Sequence, residues 1–140
     1  MLRQPAGFPQ PACVISMPPV PLLGTDYATA DGTCERDFIH VFDLARAHVA
    51  ALRALQAGQR SLTLNLGSGR ATSVRSVIAA VERVTGRKVP TVVAARRHGD
   101  PPVLVAAISA ARRAIGFEPR LSDLAVIVET AWRARCQGVR

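Results

Sequence analysis

Two arginines with carboxylates close by are the residues best suited to chemistry in this sequence. Arg36 precedes Asp37, directly after an Asp-Gly-Thr turn at residues 31–33. Arg97 stands three residues before Asp100, in a loop rich in glycine and proline. The arginine fork can bind two oxygens of a diphosphate at once, and a carboxylate can accept a hydrogen bond from a ribose hydroxyl. From spacing alone, however, an ordinary surface pair of Arg36 with Asp37 is the interpretation we favour.

The other catalytic residue types lack the arrangements that enzymes use. Tyr27 is the one tyrosine of the sequence, and the residue four positions later is Asp31, so no Tyr-x-x-x-Lys pair exists. His40 lies in a predicted strand and is interpreted as a core residue, whereas His48 falls on a helix and His98 in a loop. No histidine pair has a metal-ligand spacing, and no serine or cysteine lies in a nucleophile elbow. These residues by themselves do not support catalysis.

A glycine-rich turn, Gly67-Ser68-Gly69, lies between a predicted strand and a predicted helix, where backbone amides could hold a phosphate. The dinucleotide fingerprint requires a third glycine three positions after Gly69, but that residue is Thr72. About 20 positions further on, where an acidic residue would bind a ribose, the sequence has Val89. We therefore predict a structural turn and no cofactor-binding loop.

Strands and helices alternate from residue 24 onward, which predicts an α/β fold. Strands are predicted at residues 38–42, 61–66 and 89–94, where β-branched and apolar residues dominate or alternate. Helices are predicted where apolar residues recur at helical spacing after a capping residue. The predicted caps and ends are Asp43 with Gly58, Thr72 or Ser73 with Gly86, Ser109 with Gly116, and Ser122 for a last helix through Trp132.

The first 21 residues differ from the rest, since they carry six of the ten prolines. Each proline removes a backbone donor and biases the residue before it away from helix. This segment is predicted to be an extended or disordered arm, and residues 22–140 to be one folded domain.

Length and composition fit a small folded domain. The 140 residues are 49% hydrophobic with a mean hydropathy of +0.17, which is enough apolar material for a core. No apolar run reaches the roughly 18 residues of a membrane-spanning helix, and the first residues lack a signal peptide pattern, so we expect a cytoplasmic protein. Three scattered cysteines, Cys13, Cys34 and Cys136, predict neither a disulfide framework nor a zinc site.

The formal net charge of +8 would suit an anionic partner such as nucleic acid. However, the basic residues are spread from Arg3 to Arg140, and few aromatics are available for base stacking. We interpret most of the charge as compositional bias, and we expect neither nucleic acid nor membrane as a partner.

One long segment, residues 24–45, closely resembles a signature of the UDP-glucose 4-epimerases, which belong to the extended short-chain dehydrogenase/reductase family. It reads GTDYATADGTCERDFIHVFDLA, against G-N-D-Y-x-T-x-D-G-T-x-x-R-D-[YF]-I-H-V-x-D-L-A in that family. Further matches follow in the same order at residues 65–74, 96–101 and 121–132. The resemblance spans about residues 22–135 and implies the C-terminal, nucleotide-sugar-binding lobe of a Rossmann-type enzyme.

The resemblance implies roles for five residues. Arg36 and Arg97 fall where the family clamps the substrate diphosphate, and Asp100 falls where a carboxylate approaches the uridine ribose. Leu22 and Leu23 align with the stretch that lines the uracil pocket. UDP-sugar is therefore the implied ligand.

The resemblance also implies NAD as the cofactor and the interconversion of UDP-glucose and UDP-galactose by oxidation and reduction at the sugar C4. The family's Gly-x-x-Gly-x-x-Gly loop and Tyr-x-x-x-Lys pair have no counterpart here, so no catalytic or cofactor-binding residue is assigned. We expect a truncated chain that neither retains NAD nor epimerises by itself. Whether it forms the homodimer usual in the family stays open.

Several positions depart from the family pattern or match it without a chemical role. Leu104 stands where an epimerase often has a tyrosine near the hexose, and Ala107 and Ala110 replace an aspartate and a lysine. His40 and Asp43 match signature positions that we interpret as structural. The departures leave two alternatives open: another nucleotide-sugar epimerase, dehydratase or decarboxylase, and a non-catalytic remnant that binds nucleotide sugars.

Overall fold

The computed structural model of the chain describes residues 18–137. The elements in chain order are β1 (Val20–Leu23), β2 (Glu35–Arg36), α1 (Val41–Gln56), β3 (Thr72–Ser73), α2 (Val74–Thr85), β4 (Thr91–Ala94), β5 (Val103–Leu104), α3 (Ser109–Ile115) and α4 (Leu124–Gln137). This mixture confirms the predicted α/β class. Cys13 and most of the proline-rich segment lie outside the described residues, and β1 begins at Val20, two residues before the predicted start of the folded domain.

The strands form two small sheets. β1 and β4 pair in parallel, and β2 is the middle strand of the second sheet, antiparallel to β3 and parallel to β5. In that second sheet Arg36 lies opposite Thr72 on one side and Leu104 on the other. Arg36 is therefore held by backbone pairing with two segments that are distant in sequence.

The core lies where α1 and α3 meet the loop after α3. Its buried members are Ala47, Ile108, Ala111 and Phe117, each at most 7% exposed. Residues that pack against them while half-buried are Ile39, Leu64, Leu66, Ala106 and Ile115. Burial of this apolar surface is the main favourable term that holds these segments together. No helix within residues 18–137 has the length and apolar character needed to cross a bilayer.

The strand predicted at residues 38–42 is wrong, because α1 already begins at Val41. His40 caps this helix: its Nδ1 accepts a hydrogen bond from the Phe42 amide at 3.0 Å, and its Nε2 lies 2.8 Å from Thr130 Oγ1. Val41 and Phe42 are 70% and 63% exposed and contribute little to the core. The histidine is buried with both ring nitrogens engaged, as a structural residue is expected to be.

Asp43 does not cap α1, contrary to the prediction. It lies in the first turn, fully buried, and its Oδ2 accepts hydrogen bonds from the Leu121 amide and from Ser122 Oγ, both at 2.7 Å. Ser122 accepts a hydrogen bond from the His40 amide at 3.0 Å, so its predicted role as a cap of α4 is also wrong. Asp123 takes that role and accepts the amide two residues on at 2.9 Å. These contacts join the beginnings of α1 and α4.

Residues 61–66 form no strand, although their alternation predicts one. Within residues 18–137 no segment pairs with their backbone. Leu64 and Leu66 still face the core, whereas Leu62 is 54% exposed. The alternation would place all three leucines on one buried face, so it holds for Leu64 and Leu66 and fails at Leu62. A strand also requires a partner that supplies the ladder.

The remaining helices largely agree with their predicted boundaries. α2 begins after the cap Ser73, whose Oγ accepts the amide three residues on at 3.1 Å, and ends at Gly86 with φ 67°. α3 ends at Gly116, also in the left-handed region, as predicted. The residue before α3 is Ile108, which offers no side-chain cap, so the prediction that Ser109 caps the helix is wrong. α1 ends two residues before its predicted glycine stop.

Candidate functional site

The carboxylate of Asp37 occupies the glycine-rich turn. Its Oδ1 accepts hydrogen bonds from the Ser68 amide at 2.6 Å and from Ser68 Oγ at 2.5 Å. Its Oδ2 accepts the amides of Gly69 at 3.0 Å and of Ala106 at 3.1 Å. Burial by itself raises the pKa of Asp37, but these hydrogen bonds outweigh it and hold the pKa below its ordinary value. Asp37 is thus a structural anion and not the surface partner of Arg36.

This arrangement decides what the turn can bind. A helix N-terminal turn attracts phosphate through free amides, but the Ser68 and Gly69 amides already point at Asp37. A side chain at Gly67 would also collide with the Asp37 carboxylate and the Ala106 methyl. The turn is therefore structural, as predicted, and it does not fit the phosphates of NAD.

Arg36 and Asp100 are the two predicted site residues that contact each other. Arg36 Nη2 donates to Asp100 Oδ1, and Arg36 Nη1 donates to the Glu35 carbonyl at 2.6 Å. The two side chains are 21% and 27% exposed. The pair joins β2 to the loop before β5, and it places a cation and an anion side by side in partly desolvated surroundings.

A second cluster, formed by Tyr27, Arg96 and Asp26, was not predicted from the sequence. The Arg96 guanidinium lies 4.2 Å from the centre of the Tyr27 ring, and Arg96 Nε donates to Asp26 Oδ1 at 2.7 Å. Tyr27 is 5% exposed, and its hydroxyl has no hydrogen-bond partner within residues 18–137. Asp26 and Tyr27 belong to the recognised signature. The sequence does not show, however, which of the adjacent Arg96 and Arg97 contacts them.

Arg97, by contrast, stays on the surface. Its carbonyl accepts the Asp100 amide at 3.3 Å, which closes the turn that carries Asp100. Its side chain is exposed and makes no ion pair within the described part of the chain. The two predicted clamp arginines therefore differ, because Arg36 is held by Asp100 and the Arg97 side chain is exposed to solvent.

The two leucines lie in the other sheet. Leu22 is 6% exposed and pairs in register with Val93, while Leu23 is half-buried opposite Ala94. β1 ends at Leu23, and a side chain at the next residue, Gly24, would collide with Arg96 and Tyr27. The two leucines therefore lie in a different sheet from Arg36, and the residue that follows them packs against Tyr27 and Arg96.

An open groove of about 370 Å³ borders the ion pair. It is lined by Arg36, Asp37, Asn65, Leu66, Leu104, Val105 and Ala106. Leu104 is 58% exposed and lies opposite Arg36 in the β2–β5 ladder. The position that departs from the family pattern is therefore a neighbour of the site.

A larger concavity of about 430 Å³ lies between α1 and residues 116–118. It is lined by none of the five predicted site residues, and the smaller groove is lined by one of them, Arg36. We therefore assign the site to the groove at Arg36. Among residues 18–137 no group of three or more histidine, cysteine or acidic side chains could hold a metal ion. Cys34 and Cys136 are free thiols.

Comparisons with known proteins confirm the resemblance. A family model described as the NAD dependent epimerase/dehydratase family matches residues 12–67. The UDP-glucose 4-epimerase of Azospirillum brasilense is 51% identical over 114 residues, which cover 81% of this chain and 33% of that protein. The chain thus spans about a third of the length of the curated relatives it matches.

Solved structures agree with the sequence match. The UDP-glucose 4-epimerase from Brucella ovis in complex with NAD superposes with a TM-score of 0.75 at 48% identity, covering 79% of this chain and 34% of that one. The enzyme from Bifidobacterium longum in complex with NAD+ and UDP gives a TM-score of 0.78 at 32% identity, covering 87% and 36%. The fold is therefore a part of the short-chain dehydrogenase/reductase architecture that these epimerases share.

Proposed function

We propose that this chain binds the uridine diphosphate part of a UDP-sugar and serves a UDP-glucose 4-epimerase-type reaction by holding the substrate. The observation that carries the proposal is the Arg36–Asp100 pair, a partly buried cation and anion at the edge of an open groove. The choice of ligand is supported by the 51% identical epimerase and by the neighbour solved with UDP.

Arg36 is the group we assign to the diphosphate. Its guanidinium is partly shielded from solvent, so its charge is screened less than that of a surface arginine. The hydrogen bond to the Glu35 carbonyl orients the fork, which reduces the entropy lost on binding. Arg97 supplies a second cation from the exposed side, and Asp100 accepts a ribose hydroxyl.

Leu22 and Leu23 provide the apolar surface that we assign to the uracil ring. Leu22 is buried and supports the strand, whereas the half-buried Leu23 is the more accessible of the two. An apolar wall with a few polar groups is the usual composition of a small-ligand site.

NAD supplies the hydride exchange at the sugar C4 in the reaction we infer, but the described residues do not fit this cofactor. Asp37 fills the glycine-rich turn, and Tyr27 and Lys88 are too far apart in sequence for a Tyr-x-x-x-Lys pair. We therefore assign this chain the binding of substrate and no chemical step. The setting we propose is galactose metabolism in the cytoplasm.

Isothermal titration with UDP tests the proposal. We expect the wild-type chain to bind UDP saturably at 150 mM salt and Arg36→Ala to bind at least about tenfold more weakly, since hydrogen bonds to charged groups are worth about 1.5–3 kcal/mol. Arg53→Ala is the matched control, because Arg53 is an exposed arginine beside the other concavity. The absence of binding heat at millimolar UDP, or equal losses in both variants, would contradict the proposal.

A related nucleotide-sugar enzyme is the second candidate, and Leu104 is the observation that favours it. An exposed leucine beside Arg36 offers the sugar an apolar contact where an epimerase often has a tyrosine. Titration with UDP-galactose and with UDP-glucuronate separates the candidates. Tighter binding of UDP-galactose supports the epimerase, and tighter binding of UDP-glucuronate supports a decarboxylase or a glucuronate epimerase.

A further inference from the structure

The hydroxyl of Tyr27 is a buried polar group without a partner. The side chain is 5% exposed, and the oxygen makes no hydrogen bond within residues 18–137. Buried tyrosine hydroxyls usually find a partner, and an unsatisfied one costs free energy. A group in this state at the edge of a binding site requires an explanation.

The ring of Tyr27 is held in place from several sides. Its backbone amide donates to the Gly32 carbonyl at 2.9 Å, and the Arg96 guanidinium covers the ring at 4.2 Å. Gly24 approaches so closely that a side chain there would collide with the ring. Since the ring has little room to turn, a partner for the hydroxyl must come to it.

Asp100 is the acidic residue that we consider as that partner, because it lies four residues after Arg96, whose guanidinium covers the Tyr27 ring. Burial raises the pKa of Tyr27 most, and the negative charge of Asp100 raises it next, whereas Arg96 and Arg36 lower it. The Asp100 amide donates to the Arg97 carbonyl at 3.3 Å, so the turn that carries Asp100 directly follows the arginine that covers the ring. One Asp100 oxygen is engaged by Arg36, and the other has no hydrogen bond within the described residues.

We propose that Tyr27 is a positioning residue of this site, whose hydroxyl donates to Asp100 once a bound diphosphate has taken Arg36 from that carboxylate. The inference rests on the proposed function. In the chain without ligand Asp100 pairs with Arg36, and on binding it exchanges this partner for Tyr27. The exchange keeps the carboxylate oriented toward the ribose and satisfies the buried hydroxyl at the same time.

Removal of the hydroxyl tests this exchange. Tyr27→Phe keeps the ring and its contact with Arg96, so we expect UDP affinity to fall roughly tenfold, the size of a hydrogen bond to a charged group. The melting temperature without UDP is expected to stay equal or rise, because the lost hydroxyl had no partner there. A drop in that melting temperature with unchanged UDP affinity would assign the hydroxyl a structural role and overturn the inference.

A double-mutant cycle with Asp100→Ala identifies the partner. In the Asp100→Ala background, Tyr27→Phe is expected to have no further effect on UDP affinity, because the acceptor is already gone. An equal loss in both backgrounds would show that the hydroxyl acts on another group and would overturn the assignment to Asp100. UDP binding by the wild-type chain that Tyr27→Phe leaves unchanged would overturn this inference alone, whereas no binding by the wild type would overturn the proposed function.

NMR of the wild-type chain can also test the exchange, without any substitution. Tyr27 is the one tyrosine of the sequence, so carbon-13 labelling of tyrosine gives a single Cζ signal that responds to hydrogen bonding at the hydroxyl. We expect this signal to shift in step with UDP occupancy. A signal that stays unchanged at saturating UDP would contradict the exchange.

Discussion

Arg36 and Asp100 form an ion pair across 64 residues of sequence, at the edge of the groove that we assign to the substrate. The ligand that we propose must compete with this pair, because the diphosphate and the Asp100 carboxylate both seek the Arg36 fork. Because Asp100 engages Arg36, we expect removal of either side chain to change the affinity of the other for a ligand.

Asp100→Ala separates the two roles of the carboxylate. Inorganic diphosphate should bind this variant several-fold more tightly than the wild type, because it no longer competes with Asp100 for Arg36. The advantage of UDP over inorganic diphosphate should shrink, because the acceptor for the ribose is lost. Titration with both ligands checks this, and unchanged diphosphate affinity would show that the pair does not oppose binding.

Arg96 and Arg97 are expected to respond in opposite ways to alanine substitution. Arg96 covers Tyr27 and binds Asp26, so Arg96→Ala should lower the melting temperature by about a few degrees. Arg97→Ala should leave the melting temperature unchanged and weaken UDP binding, because its side chain is exposed. Equal behaviour of the two variants in both measurements would contradict the division of roles.

Gly67 is expected to tolerate no side chain. Its Cβ would collide with Asp37 and Ala106, so Gly67→Ala should reduce the free energy of unfolding by about 1–3 kcal/mol. Gly58→Ala is the control, since nothing lies within 4 Å of that position and the cost is limited to its φ of 84°. Urea denaturation compares the free energies of unfolding of the two variants. A smaller loss for Gly67→Ala than for Gly58→Ala would contradict the close packing at Gly67.

Asp43 should make the stability of the chain sensitive to acid. Burial by itself raises the pKa of Asp43, but hydrogen bonds from Ser122 and from the amides of Arg120 and Leu121 outweigh it and lower the pKa from its ordinary 3.8. A lowered pKa in the folded state adds stability that is present above pH 3.8 and is lost as the pH falls through the folded-state pKa.

Asp43→Asn is the variant that isolates this contribution. It should be less stable than the wild type at pH 7 by about 1–3 kcal/mol, and the difference should shrink as the pH falls below about 4. Glu118→Gln, which alters an exposed acid, should show no such trend. Urea denaturation from pH 7 to pH 3 measures both, and a constant difference for Asp43→Asn would contradict the prediction.

Local features were predictable from sequence, and long-range ones were not. The cap Ser73 and the stop Gly86 act on their own helix, so the boundaries of α2 followed from nearby residues. Phe38–Phe42 was misassigned because its apolar residues suit a strand, while His40 caps a helix by a hydrogen bond that composition does not reveal. The segment at residues 61–66 shows the same limit, since a ladder depends on a partner backbone.

The candidate site shows the difference more sharply. The resemblance identified Arg36 and Asp100 separately, but spacing favoured Asp37 as the partner of Arg36, and the structure pairs Arg36 with Asp100. Asp37 instead binds amides 31 and 69 residues away. Tyr27 and Arg96 were missed as a pair because their contact joins segments that are distant along the chain.

Phosphorus-31 NMR of UDP can show whether Arg36 holds the diphosphate of a UDP-sugar. Titration with the wild-type chain at 150 mM salt should shift or broaden both phosphorus signals saturably, and Arg36→Ala should abolish most of this change while Arg53→Ala preserves it. Phosphorus signals that stay unchanged with the wild type, or that change equally with Arg36→Ala, would show that Arg36 does not hold the diphosphate.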